Sequence, residues 1–191
     1  MEMMNAGLST RRQGGTSLIE VLVTLLIVAF GLLGMAGLQA RMELSEMESY
    51  QRAQALVLLS DMANRITTNR INAANYATAA APLGGTAACP ASIATRHDID
   101  KGQWCAALKG AAEFSGGNQS GAMIGGRGCA EALPDNEYLI TVAWQGLTPV
   151  SAPPASVSCG QDLYDGPAGS PCQADRCRRV VTTVVRIATL N

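Results

Sequence analysis

Glu20 sets a carboxylate near the start of a long apolar run, where the one thing an acid can do well is hold a positive charge in a poor solvent for ions. From 18 to 38 the only clearly polar side chains are Glu20 and Thr24, and as a helix this stretch spans roughly 30 Å, the thickness of a bilayer core. A charge inside such a segment costs at least ~2.5 kcal/mol, so it reads as functional and calls for an opposite charge at matching depth. The competing reading is a side chain that reaches back to the interface.

The other residues with chemistry to offer are six cysteines and one histidine. Cys89, Cys105, Cys129, Cys159, Cys172 and Cys177 all lie beyond the apolar run, and an even count there reads as disulfides made in an oxidising compartment. Loop-closure entropy weakly favours near neighbours, so Cys89 with Cys105 is the first expectation and the other four stay unassigned. Cys172 and Cys177 have a spacing that some zinc sites use, but no second close pair accompanies them and His97 is the sole histidine. No metal or other cofactor is expected. His97 sits in Thr95-Arg96-His97-Asp98, read as a polar loop with an exposed ring, and no Gly-x-Ser-x-Gly or His-Glu-x-x-His motif occurs. The glycine-dense stretch 115–128 reads as loop and lacks a phosphate-binding fingerprint. Catalysis is therefore not expected. A net charge of −1 with 4% aromatics also argues against a nucleic-acid binder.

These groups must be positioned by a small number of elements. Arg11 and Arg12 precede the apolar run, which keeps residues 1–15 cytoplasmic and sends the rest outward. The run is too long for an ordinary secretory signal, and its nearest glycine pair, Gly14-Gly15, lies before it. Residues 39–70 contain no Gly or Pro and repeat Met42, Met47, Leu56, Leu59, Ala63 and Ile66 near helical spacing, which predicts one helix over about 17–70, roughly 80 Å long. Gly31, Gly34 and Gly37 fall near one another around it and read as a helix-packing face, against the plainer reading of relaxed glycine use in an anchor.

The segment Gly15-Thr16-Ser17-Leu18-Ile19-Glu20 resembles the cleavage signal of the type IV pilin and pseudopilin superfamily. The resemblance implies that a prepilin peptidase cuts after Gly15 and methylates Thr16, a position where the family more often carries Phe. It also implies that Glu20, the fifth residue of the mature chain, pairs with the amino-terminus of a neighbouring subunit. The implied organisation is a leader over 1–15, a membrane-spanning or fibre-core helix over 16–38, an amphipathic stem over 39–70 and a periplasmic head over 71–191. The expected fold is α+β, the pilin lollipop, with a small antiparallel sheet on the stem helix and a disulfide-pinned loop at one sheet edge.

Within the head, Asn72-Ala73-Ala74-Asn75-Tyr76 and the stretch 79–85 read as helix end and flexible loop. A short helix is predicted over 103–109, with Trp104 and Leu108 on one face. Strands are predicted over 138–144 and 179–190, the second rich enough in β-branched residues for a central place. Between them residues 148–178 carry five prolines and three of the cysteines, which excludes a sheet interior. Trp144 reads as core, and Arg178 and Arg179 as a solvated start to the last strand.

Val142-Ala143-Trp144-Gln145-Gly146, Gly126-Arg127-Gly128-Cys129, Cys159-Gly160, Arg178-Arg179-Val180-Val181 and the helix segment 29–39 together look like the minor pilin family called type IV pilus modification protein PilV. What this implies is a low-abundance structural subunit that primes pilus assembly with other minor pilins and the major pilin on an inner-membrane platform. It would start as a single-pass inner-membrane protein, end in the surface fibre, and support twitching motility and adhesion. The alternative is a minor pseudopilin of a type II secretion system, which shares the signal, the helix and a small head.

Overall fold

The computed structural model describes residues 15, 17–78, 81–111, 114–115, 118–119 and 123–188; Arg11, Arg12, Thr16 and Leu190 lie outside them. The fold is α+β. The chain divides into two units, Met1–Glu43 and Leu44–Asn191. Helix α1 (Leu18–Thr68) runs through the boundary without a break, as expected of a stretch free of proline.

In the first unit α1 is apolar and uncovered. Its hydrophobic window is long enough to cross a membrane and none of it is buried, with Leu18 83% and Phe30 71% exposed. Such a surface calls for lipid or other chains around it.

In the second unit α1 does bury a face, formed by Gln51, Ala55, Leu59, Met62 and Ile66 at steps of four, four, three and four. The expected stripe is corrected here: Leu59 and Ile66 belong to it, Ala63 is half-buried, and Met42, Met47 and Leu56 are exposed. At about 100° per residue, those three fall well to the side of the 55–59–62–66 line. After α1, where the helix end was expected, residues Arg70–Tyr76 form a 3-10 helix with Ala73 and Tyr76 buried. The Tyr76 hydroxyl holds the turn, accepting from Asn69 Nδ2 at 3.0 Å and donating to Asp100 at 2.6 Å.

The remaining elements are β1 (Leu83–Gly84), α2 (Arg96–Leu108), the two-residue strands β2 (Phe114–Ser115) and β3 (Asn118–Gln119), β4 (Arg127–Leu133), β5 (Glu137–Gln145) and β6 (Arg178–Arg186). The main sheet is antiparallel in the order β1-β4-β5-β6, and β2 pairs with β3 apart from it. Two expectations change. The glycine-dense stretch holds the β2-β3 pair and the start of β4, and β6 is an edge strand instead of a central one. Valine and threonine in β6 suit a half-buried edge, with Val185 buried and Val184 50% exposed. The β4-β5 hairpin turns through Asp135 and Asn136, both at positive φ near 60°, a conformation these short polar residues tolerate better than others.

Period-two alternation sends β5 to two cores. Tyr138, Ile140, Val142 and Trp144 face α1 and α2, joining Ala55, Leu59, Met62, Ile66, Trp104 and Leu108. Ala143, on the other face, packs with Cys129, Cys159 and Tyr164. The loop before β6 therefore lies over the outer face of the sheet and not at its edge, because Cys129, its anchor through Cys159, is on β4 in the interior of the sheet.

Gly128 explains how α2 sits so close. A Cβ there would lie 2.2 Å from the Trp104 ring and 2.7 Å from Leu108, so only bare backbone fits beneath the indole. Gly128→Ala is expected to destabilise the protein by about 2 to 3 kcal/mol through overpacking, measured as a lower denaturation midpoint of the purified chain.

Candidate assembly surface

The first described residues of the segment from 15 to 20 are Gly15 and Ser17, both exposed. The Ser17 carbonyl accepts from Glu20 N at 3.0 Å and Val21 N at 3.2 Å, which starts α1. Glu20 thus lies in the first turn of the helix, where a negative charge suits the helix dipole. Its carboxylate has no partner among the described residues. Thr24, the other polar side chain of the run, donates to the Val21 carbonyl at 2.8 Å and so is satisfied within its own helix. That leaves Glu20 as the polar side chain of the run with no partner among the described residues.

Gly31, Gly34 and Gly37 meet nothing within 4 Å of where a Cβ would stand. Among the described residues this glycine strip is open, as a packing face for another helix would be.

The six cysteines form three disulfides: Cys89–Cys105, Cys129–Cys159 and Cys172–Cys177. The first ties the segment before α2 to a buried position on α2. The second clamps the long loop onto β4, and the third closes a small ring just before β6. Among the described residues no cluster of three or more His, Cys, Asp or Glu could hold a metal ion.

His97 is in the first turn of α2 and not in an exposed loop. Its side chain is 18% exposed, its ring meets Tyr76 edge-on at 6.2 Å, and a ring nitrogen lies 3.6 Å from Asp98. The helix starts early because Thr95 caps it, its hydroxyl accepting from Asp98 N at 3.3 Å. The Thr-x-x-Asp pattern is the signal that would have revealed this start. The Asp98 carboxyl is held below its ordinary value by hydrogen bonds from Ser92 and then Thr95.

Arg178 and Arg179 also depart from expectation, since neither is solvated. Arg178 is 1% exposed, pairs with Asp175 at 3.0 Å and donates to the carbonyls of Val157 and Cys159. Arg179 pairs with Glu48 of α1 at 3.1 Å and donates to the Thr148 carbonyl at 2.6 Å. Glu48 Oε1 also accepts from the backbone N–H groups of Leu147 and Thr148. Nothing in sequence spacing joins residues 48 and 179; the antiparallel sheet brings them together.

A second ionic tie was missed altogether. Asp100 is buried and takes hydrogen bonds from Tyr76 at 2.6 Å, Arg65 at 2.8 Å and Arg96 at 3.2 Å, while Arg65 also holds Asp61. Burial by itself would raise the Asp100 carboxyl, but these donors and the Arg96 charge overcome it and hold the group below the usual carboxylate range. Burial and the Asp100 carboxylate together raise the Tyr76 phenol.

No family model, no curated protein and no solved structure matches the chain.

The folded Asp100 pKa lies below the unfolded value of about 3.9. Its contribution is therefore complete above that pH and fades as pH falls through the folded value. Asp100→Asn is expected to cost about 3 kcal/mol at pH 7 and to flatten the acid limb of the stability-against-pH curve. Denaturant melts across pH 2 to 7, roughly the span over which an aspartate loses its charge, check this. Replacing Cys129 and Cys159 together by serine is expected to cost roughly 3 kcal/mol and to free the loop for proteolysis, read by limited digestion.

Proposed function

We propose that the chain is a minor pilin of the type IV pilus, resembling the PilV family, and works as a non-catalytic subunit that helps prime the fibre. The observation that carries the reading is Glu20: a lone, exposed carboxylate in the first turn of an otherwise apolar, uncovered helix, five residues after Gly15. A cleaved and methylated amine at Thr16 of a neighbouring subunit would supply the opposite charge at the same depth.

The rest of the architecture supports this reading. An apolar anchor feeds without a break into a stem that packs on a disulfide-bonded sheet, an arrangement suited to a helix in lipid or in a fibre core with a head on the oxidising side. A minor pseudopilin of a type II secretion system would use the same devices. The pilus is preferred on the likeness of Trp144-Gln145-Gly146 and the cysteine-rich loop. Prepilin peptidase, other minor pilins, the major pilin and an inner-membrane platform are the partners this function requires.

Mass spectrometry of the protein from cells that carry the assembly machinery is expected to find an N-methylated Thr16; retention of Met1 would overturn the proposal. Glu20→Ala is expected to lower recruitment into filaments on the order of tenfold, about 1.4 kcal/mol, while leaving the head folded. Replacing Gly31, Gly34 and Gly37 by Leu sets each new Cβ where nothing among the described residues lies within 4 Å. Lower incorporation of that variant, scored by immunoblot of sheared fibres, would therefore report packing between chains.

A further inference from the structure

Each disulfide joins cysteines that are neighbours in chain order, the first with the second, the third with the fourth and the fifth with the sixth. Six cysteines can pair in many other ways. The contacts that bring each pair together come early as well, because they use residues that precede the second cysteine or follow it by a few positions.

For the first pair, Lys109 Nζ donates to the Ala87 carbonyl at 2.8 Å, and the Pro90 carbonyl lies so near α2 that a Cβ on Gly102 would stand 2.7 Å from it. The stretch carrying Cys89 is thereby laid along the helix carrying Cys105. For the second, the β4-β5 hairpin is complete by Gln145 and turns Cys129 and Glu131 to one face. Ser158 Oγ donates to Glu131 at 3.1 Å and Tyr164 to the Gly125 carbonyl at 3.0 Å, which sets Cys159 beside Cys129. For the third, the Asp165 carboxylate accepts from the backbone N–H groups of Ala174 and Asp175, inside the ring that Cys172 and Cys177 close. None of these contacts uses β6.

We propose that the chain reaches this pairing by oxidation alone, pair by pair in chain order, and requires a dithiol-oxidising disulfide donor but no disulfide isomerase. The thiolate of one cysteine attacks the donor disulfide, forming a mixed disulfide and releasing one donor thiolate. The thiolate of its neighbour in chain order then attacks the cysteine sulfur of that mixed disulfide and expels the other. Two electrons and two protons leave the chain, and the donor ends as a dithiol. At roughly 5 to 20 residues per second, about 1 to 5 s separate the synthesis of Cys105 from that of Cys129, long enough for an efficient donor to close the first pair. This order holds whether or not the chain enters a fibre.

The test synthesises the full chain in a cell-free system with detergent micelles and a purified thiol oxidase in its disulfide form, without isomerase. After alkylation, the linked peptides are mapped by mass spectrometry. The unaltered chain is expected to show the three native pairs. In Cys105→Ser, oxidant present throughout synthesis is expected to let Cys89 capture Cys129, with loss of Cys129–Cys159. Oxidant added only after release is expected to restore Cys129–Cys159, because by then the fold has placed the two together. Cys89→Ser repeats the test, with Cys105 as the capturing thiol, and Cys177→Ser is expected to keep the first two native pairs under both regimes. A native set that forms only when an isomerase is supplied overturns the proposal. So does the same pairing with early and late oxidant in both Cys105→Ser and Cys89→Ser.

Discussion

The indole of Trp104 joins the layers of the second unit, because its ring lies over the bare backbone of Gly128 while its N–H donates to the Leu58 carbonyl of α1 at 2.9 Å. One side chain thereby fixes α2 against both the helix and the sheet. The large buried area of a tryptophan and a satisfied polar edge are both needed for this, and no smaller residue supplies both. With α2 set in place, Asp100 comes within reach of Arg65 and Tyr76, and Cys105 within reach of Cys89.

The sheet is covered by unlike means on its two faces. Toward α1 the cover is apolar, built from side chains that alternate along β5 and repeat at three and four along the helix. Away from α1 no helix among the described residues covers the sheet, and a proline-rich loop serves instead. A loop has no repeating apolar stripe, so it is held by a disulfide to β4, by Arg178 bound to two of its carbonyls, and by Tyr164 donating to the Gly125 carbonyl at 3.0 Å. Covalent and ionic ties replace the packing that a regular element would have given. Unlike an exposed ion pair, the Arg178–Asp175 contact is shielded from solvent and would leave a buried charge if broken.

Much of this was legible in the residues. The α+β class, the long proline-free helix, the 138–144 strand and the buried Trp104–Leu108 pair follow from periodicity, which burial enforces directly. Features set by long-range contact were not legible. Strand β4 carries Gly128, Ala130 and Ala132, a composition poor in β-formers, and it exists because β1 and β5 pair with it on either side. The roles of Arg178, Arg179 and Asp100 depend on residues 19 to 131 positions away, which no local pattern encodes. At the N-terminus the balance is reversed. Glu20 and the three glycines are conspicuous in the sequence because they are costly there, whereas the described residues offer them no partner.

The order of elements along the chain has a consequence for how the protein is made. The loop carrying Cys159 and the strand β6 are synthesised after the β4 and β5 surfaces they cover. Until they emerge, β5 presents an unpaired edge and one bare face, the kind of surface on which nascent chains stick to one another. Synthesis therefore passes through an interval in which that edge and that face are uncovered and Cys129 has no disulfide partner. Slowing translation just upstream of Cys159 would be expected to prolong it.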